Sequence, residues 1–316
     1  MRIAGLLHTL DVHGGVRRYF EIGNAVVRAG HEFILYHKTV HDKKPWMEFL
    51  GELRPYHEHR SVSTDVMFTG AYECFLDLEK ARADTKIVFV VAKFYAQEYL
   101  KLWQRAGKSL FWVGVAKDWN LGMEEIQGIT IPCGINTTFF KSVERPPAGR
   151  LKVSFYARTG EGRNVEQVVQ VAEKLHKKID FVGYDAPGYP SICSDCVESR
   201  TINSQEELRS LLQSSDIIVS AMRSAGWNNI IAEGMACGAV PVTTPAGVGD
   251  LVVDGKTGLL CDPGNLVESL ASNITALYCC TEEMVKIRRA AIEHVKQFSW
   301  DSAVSKLMEA VQAGRS

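Results

Sequence analysis

No stretch of this 316-residue chain holds the roughly 18 consecutive apolar residues that a membrane-crossing helix needs. Net charge is missing too. The 36 basic and 37 acidic residues leave −1, which gives no electrostatic reason to expect nucleic acid as a partner, although local basic patches remain compatible with that balance. The first strand-to-helix turn carries only Gly14-Gly15 and not G-x-G-x-x-G, so an NAD enzyme is disfavoured. Zinc spacing is incomplete: Cys193 and Cys196 make one C-x-x-C with no second pair, and only the remote His57 and His59 could complete a set. No metal is expected. The eight cysteines are scattered, with Cys133, Cys237 and Cys261 in apolar stretches and Cys279-Cys280 reading as thiols at a helix end. That usage suits reduced thiols in a cytosol better than a disulfide framework, so the expected location is cytoplasmic.

What is present is length and alternation. A chain of this size exceeds what one hydrophobic core usually supports, which favours two α/β domains of about 150 residues each. The N-terminal run reads as a first strand at 3–7 rather than as a signal peptide. A helix is predicted at 16–29, with Val16, Tyr19, Phe20, Val26 and Val27 on one face and Gly30 as its stop, and a strand follows at 32–36. Residues 41–63 are polar and irregular, and buried strands return at 86–92 and 110–115. Pro146-Pro147 and Gly149 mark a linker at 142–150. Beyond it the pattern restarts, with a strand at 151–157, a helix at 164–176, a strand at 179–182, a helix opened by the Ser204 and Glu207 capping box, and a strand at 216–220. The expected domains are 1–145 and 146–297, with a C-terminal helix at 298–316 returning to the first. Such alternation builds parallel sheets covered on both faces, whose ligands bind at the carboxyl ends of strands. The informative loops are those after Leu7, Ala157 and Ser220.

The strand at 151–157 runs directly into Arg158-Thr159-Gly160-Glu161-Gly162-Arg163-Asn164 and then a helix. Two arginines five apart therefore flank a glycine-containing turn at a helix N-terminus. Guanidinium forks pair with phosphate oxygens, the helix end adds partial positive charge, and each charge-assisted bond contributes about 1.5 to 3 kcal/mol. Such a turn can hold a pyrophosphate; two solvated surface arginines are the plain alternative. Context decides between them. Residues 220–242 read SAMRSAGWNNIIAEGMACGAVPV. This run resembles the signature of the retaining GT-B glycosyltransferases of family four, approximately E-G-F-G-x-x-x-x-E-A-M-A-C-G-x-P-V, with Glu233, Met235, Ala236, Cys237, Gly238, Pro241 and Val242 carrying the likeness. Asp254-Gly255-Lys256-Thr257-Gly258-Leu259-Leu260 resembles that family's D-G-x-T-G-x-L, residues 131–140 its I-P-N-G-V-D-x-x-x-F, and Phe298-Ser299-Trp300-Asp301 its F-S-W-E. The likeness runs from Gly14 to Trp300.

The resemblance implies a GT-B architecture, an α/β fold of two Rossmann-like domains with parallel sheets facing a central cleft. It implies transfer of a sugar, with retained configuration and without a metal, from a UDP or GDP sugar to a hydroxyl acceptor, which can be a glycan or a lipid-linked group at a membrane surface. Beyond that co-substrate no cofactor is expected. Glu233 would accept hydrogen bonds from the ribose hydroxyls, a role suited to an ionised carboxylate. Arg158 and Arg163 would hold the diphosphate, where the family has arginine and lysine, and would stabilise it as it leaves. Asn228, Asn229 and Ile230 would offer backbone N–H groups, and Gly14 and Gly15 would let the first-domain loop approach closely. Two departures stand out. Ala225 occupies the place of the family's first glutamate, which touches donor-sugar hydroxyls, and Lys93 lies where many relatives have a histidine near the reacting sugar. The first leaves the donor open; Lys93 either serves a different sugar or is simply a loop lysine, the reading favoured here. They also motivate a rival reading, a nucleotide-sugar-binding protein without transfer activity; an epimerase or phosphorylase sharing the architecture ranks below it.

Overall fold

The computed structural model describes residues 1–11, 14–38, 47–91, 95–117, 119–144, 149–189, 192 and 194–313. Lys93, the Pro146-Pro147 pair and Cys193 lie outside them. The chain divides into two compact units, Met1–Gly134 with Phe298–Ser316, and Ile135–Gln297. The boundary by contact thus falls at Gly134, ahead of the 142–150 stretch.

In the first unit, strands β1 (Arg2–Leu7), β2 (Glu32–His37), β3 (Glu52–Pro55), β4 (Thr64–Thr69), β5 (Ala83–Val90), β6 (Phe111–Gly114) and β7 (Ile129–Thr130) form one parallel sheet in the order β3-β2-β1-β4-β5-β6-β7. After Arg2 every residue of β1 is buried, as a central strand covered on both faces requires. Helix α1 (Gly14–Arg28) buries Val16, Tyr19, Phe20 and Val26. It ends where Gly30 takes φ +82°, with the Gly30 N–H donating to Val27 (3.0 Å) and that of His31 to Val26 (3.1 Å), which satisfies two carbonyls of the last turn. Helices α2 (Phe75–Lys80) and α3 (Ala96–Ala106) cover the sheet further along. The C-terminal helix α9 (Trp300–Ala313) belongs to this unit: it packs on α1 through a stripe of Trp300, Val304, Leu307, Met308 and Val311, and Asp301 bonds Arg28 at 2.8 Å.

The second unit has six parallel strands, β8 (Leu151–Tyr156), β9 (Ile179–Asp185), β10 (Glu198–Thr201), β11 (Ile217–Ser220), β12 (Val240–Thr243) and β13 (Leu259–Leu260), in the order β10-β9-β8-β11-β12-β13. Helices α4 (Val165–Leu175) and α7 (Leu266–Cys279) supply Val165, Val168, Val171, Leu270 and Ile274 to a core that includes Val153, Phe155, Ile217 and Val219. Helix α5 (Gln205–Ser214) opens with the expected cap: Ser204 Oγ accepts from the Glu207 N–H at 3.1 Å, while Glu207 reaches back one residue further, to the Asn203 N–H at 2.8 Å. Helices α6 (Asn229–Ala236) and α8 (Thr281–Val295) complete the unit.

Two elements differ from the sequence expectation for physical reasons. Residues 41–63, read as irregular, contain β3, which pairs with β2 alone and is nowhere buried, so it has no apolar alternation to reveal it. Strand β9 continues beyond 182 to Asp185, because Gly183 and Tyr184 pair with Phe155 and Tyr156 of β8.

Candidate functional site

In the second sheet the chain runs outward from β8 to β9 and β10, then returns to the other side of β8 with β11. The crevice at the carboxyl ends of β8 and β11 is the topological switch point, the place where parallel sheets of this kind bind ligands. The 157–164 loop leaves β8 there. Its path needs left-handed backbone at Gly162 (φ +72°) and at Asn164 (φ +53°), the residue that precedes α4 without capping it through its side chain. Two bonds tie this loop to the one after β11: Arg223 N–H donates to Gly162 at 2.7 Å, and Asn164 Nδ2 donates to Ala221 at 2.8 Å. Tyr156, Arg158, Arg163, Ser220, Met222 and Ile230 are among the residues lining the crevice.

The two arginines differ. Arg158 is largely buried and bonds Asp185 through Nη2 (2.8 Å) and Nε (3.2 Å), with its guanidinium stacked 3.4 Å above the Tyr189 ring. Burial works against its charge, but the Asp185 hydrogen bonds prevail and raise its pKa. Arg163 has no carboxylate partner among the described residues; its guanidinium lies 5.5 Å from the centre of the Tyr156 ring. Burial pushes the Tyr156 phenol up to about 12, the Asp185 charge adds to that, and both arginines pull the other way. One guanidinium is thus already neutralised and the other is available to an anion.

On the opposite side of the crevice, Asn228 caps α6. Its Oδ1 accepts from the Ile231 N–H (3.4 Å) and its Nδ2 donates to Ser220 Oγ (2.9 Å), fixing the helix start to the end of β11. The Asn228 backbone N–H donates to Gly247 at 3.0 Å, which corrects the expectation that it is free for a ligand. The amides of Asn229 and Ile230 are the first two of the helix and have no intrahelical partner, as every helix start requires. Ile230 lines the crevice, so the positive end of the helix lies beside it. Glu233 sits one turn on and is only 4 % exposed. Ala225 packs against Gly247, whose φ is +68° and where a Cβ would come within 2.8 Å of the Ala225 Cβ. Gly14 and Gly15 open α1 in the first unit, at the carboxyl end of β1.

Sequence reasoning missed Asp185, Tyr184, Tyr156 and Arg223. The first two were hidden by ending the strand at 182; carried three residues further, the same rule about carboxyl ends would have brought them to the site. The half zinc motif gains nothing: Cys196 is a free thiol, and the buried His59 donates through Nδ1 to the Tyr56 carbonyl while its Nε2 lies 3.9 Å from Asp77.

Residues 151–279 match the profile of the family described as glycosyl transferases group 1. Over these residues the chain is similar to that family. Curated relatives include a D-inositol 3-phosphate glycosyltransferase of Arthrobacter sp. (strain FB24), 25 % identical over 207 residues, which span 58 % of this chain and 49 % of that protein. An uncharacterized glycosyltransferase of Methanocaldococcus jannaschii is 32 % identical over 133 residues, 42 % of this chain and 36 % of that one. The chain therefore spans about half or less of these relatives. Among solved structures, HepE of Anabaena in complex with UDP-glucose superposes with a TM-score of 0.81 at 13 % identity, covering 99 % of this chain and 100 % of HepE. A sucrose-phosphate synthase of Thermosynechococcus elongatus gives 0.79 at 15 % identity, with 99 % and 98 % covered. The fold is that of the GT-B glycosyltransferases, and the stretch that matches the family profile makes up most of the second unit. Among the described residues no helix is long and apolar enough to cross a membrane.

Proposed function

We propose that the protein transfers a sugar from a nucleoside-diphosphate sugar to a hydroxyl acceptor, with retention of anomeric configuration and without a metal. The observation that carries this reading is a switch-point crevice lined both by Arg163, which has no carboxylate partner among the described residues, and by Ile230 at the start of α6. HepE, of the same fold, is crystallised with UDP-glucose, which favours a nucleoside-diphosphate sugar as the ligand class.

In this reading the diphosphate lies between the 157–164 loop and α6, and Glu233 accepts from the ribose hydroxyls. The bond from the anomeric carbon to the diphosphate oxygen breaks and the electron pair leaves with the phosphate. Arg163 and the Asn229 and Ile230 amides stabilise the charge that grows there; fixed donors aimed at developing charge are worth several kcal/mol. Arg158 acts differently, by holding Asp185 and the carboxyl end of β9 in place. The acceptor oxygen bonds the anomeric carbon, and its proton passes to an oxygen of the departing diphosphate. The acceptor is a glycan or lipid-linked hydroxyl, and the reaction takes place in the cytoplasm.

Radiolabelled UDP and GDP sugars incubated with and without cell extract test the reading. Extract-dependent appearance of a labelled product supports transfer, whereas binding with no product under any condition favours a nucleotide-sugar binder. Turnover should persist in EDTA, and the product's anomeric coupling constant should match that of the donor. Activity lost in EDTA and restored by magnesium contradicts the metal-independent part.

A further inference from the structure

Tyr156 ends β8 and lines the crevice, half-buried, together with the two arginines of the 157–164 loop. The Arg158 guanidinium lies over its ring at 5.2 Å from the centre, and that of Arg163 at 5.5 Å. Arg158 in turn sits 3.4 Å from the centre of the Tyr189 ring, so rings and cations alternate from Tyr189 to Arg158 to Tyr156 to Arg163. The two cations depend on Tyr156 unequally. Arg158 is also fixed by Asp185 at 2.8 Å. Arg163 has no carboxylate partner among the described residues, and its other restraints lie within its own turn. Its N–H donates to the Gly160 carbonyl at 3.2 Å, and its stem passes Gly160, where an added Cβ would stand 3.6 Å from both Cδ and Nε.

A carboxylate fixes a guanidinium and neutralises it, as Asp185 does for Arg158. The face of an aromatic ring attracts a cation through its quadrupole and leaves the charge uncancelled. The guanidinium N–H donors then stay available for phosphate oxygens. A long side chain held in place before the ligand arrives also has less freedom left to lose when charge develops beside it. We infer that Tyr156 is a positioning residue whose ring holds the Arg163 guanidinium, still charged, at the crevice where the departing diphosphate needs it. This rests on the transfer reading above and adds to it the group that aims its cation.

Steady-state turnover of labelled UDP and GDP sugars with a fixed amount of cell extract tests it, in wild type, Tyr156→Phe, Tyr156→Leu, Arg163→Ala and the variant combining Tyr156→Leu with Arg163→Ala. Tyr156→Leu keeps an apolar side chain without a ring face; it should lower kcat about fivefold, the size of one cation–π contact, with donor KM less affected. Tyr156→Phe keeps the face and should turn over within about twofold of the wild type. In the Arg163→Ala background Tyr156→Leu should cost nothing further, because the cation it positions is gone. An equal loss in both backgrounds makes Tyr156 a general packing residue and overturns the inference. Wild-type kcat in Tyr156→Leu overturns it as well, and so does a Tyr156→Phe variant as slow as Tyr156→Leu, which places the effect on the hydroxyl. If the wild type gives no labelled product under any condition, the transfer reading itself fails and this inference falls with it.

Discussion

The two sheets share one topology and treat their switch points in opposite ways. In the first unit the point lies between β1 and β4, and Tyr19 of α1 closes it: its hydroxyl accepts from the Gly70 N–H at 2.7 Å and lies 3.2 Å from Thr69 Oγ1, which itself donates to Leu6 at 2.8 Å. Tyr19 is buried against Phe68, and burial drives its pKa far above the ordinary phenol value. In the second unit the equivalent strand ends are bridged by backbone and by the Asn164 amide, while Tyr156 and Arg163 line the space between. Topology supplies the crevice, and the side chains at the strand ends decide whether it is filled or left for a ligand.

This contrast can be broken by substitution. The largest effect on stability should come from Arg158→Ala, which leaves the mostly buried Asp185 carboxylate without its cation. A loss on the order of 3 kcal/mol in denaturant unfolding is expected for a buried pair broken on one side. A loss below about 1 kcal/mol would return Arg158 to the role of a free phosphate ligand, because surface pairs contribute no more than that. Arg163→Ala should do the reverse: stability is kept while kcat falls on the order of 10²-fold with donor KM less affected, since the missing charge acts on a leaving group. A raised KM with kcat intact makes Arg163 a uniform binding contact. Smallest is Tyr19→Phe in the first unit, which unpairs the Gly70 amide and costs about 1 to 2 kcal/mol of stability. Nucleotide affinity should not change, and a large drop would mean that the closed switch point takes part in donor binding.

Much of this was legible in the sequence, and what escaped has a pattern. Gly30, Ser204 and Glu207 set helix ends through local chemistry and could be read directly. Arg163, Glu233 and the α6 start stood inside a recognisable run, and their placement in one unit follows from the strand order. By contrast, the division of labour between Arg158 and Arg163 depends on Asp185, 27 residues from Arg158 in sequence and brought to it only by the β8–β9 register. The same holds for Asn228, whose backbone N–H is taken by Gly247 from the loop after β12. Electrostatic partners across strands leave no periodic signal, so an arginine that is free and one that is neutralised look alike until the sheet is assembled.

The central claim is that the carboxyl edge of the second sheet holds a nucleoside diphosphate with Glu233 on its ribose. Titration calorimetry of the intact chain with UDP and GDP, comparing wild type with Glu233→Ala, tests it most directly. The account predicts saturable binding of at least one of the two by the wild type, weakened on the order of 1 to 3 kcal/mol in the variant by loss of a charged hydrogen-bond partner. Equal affinity in both proteins, or no binding by the wild type, would contradict it.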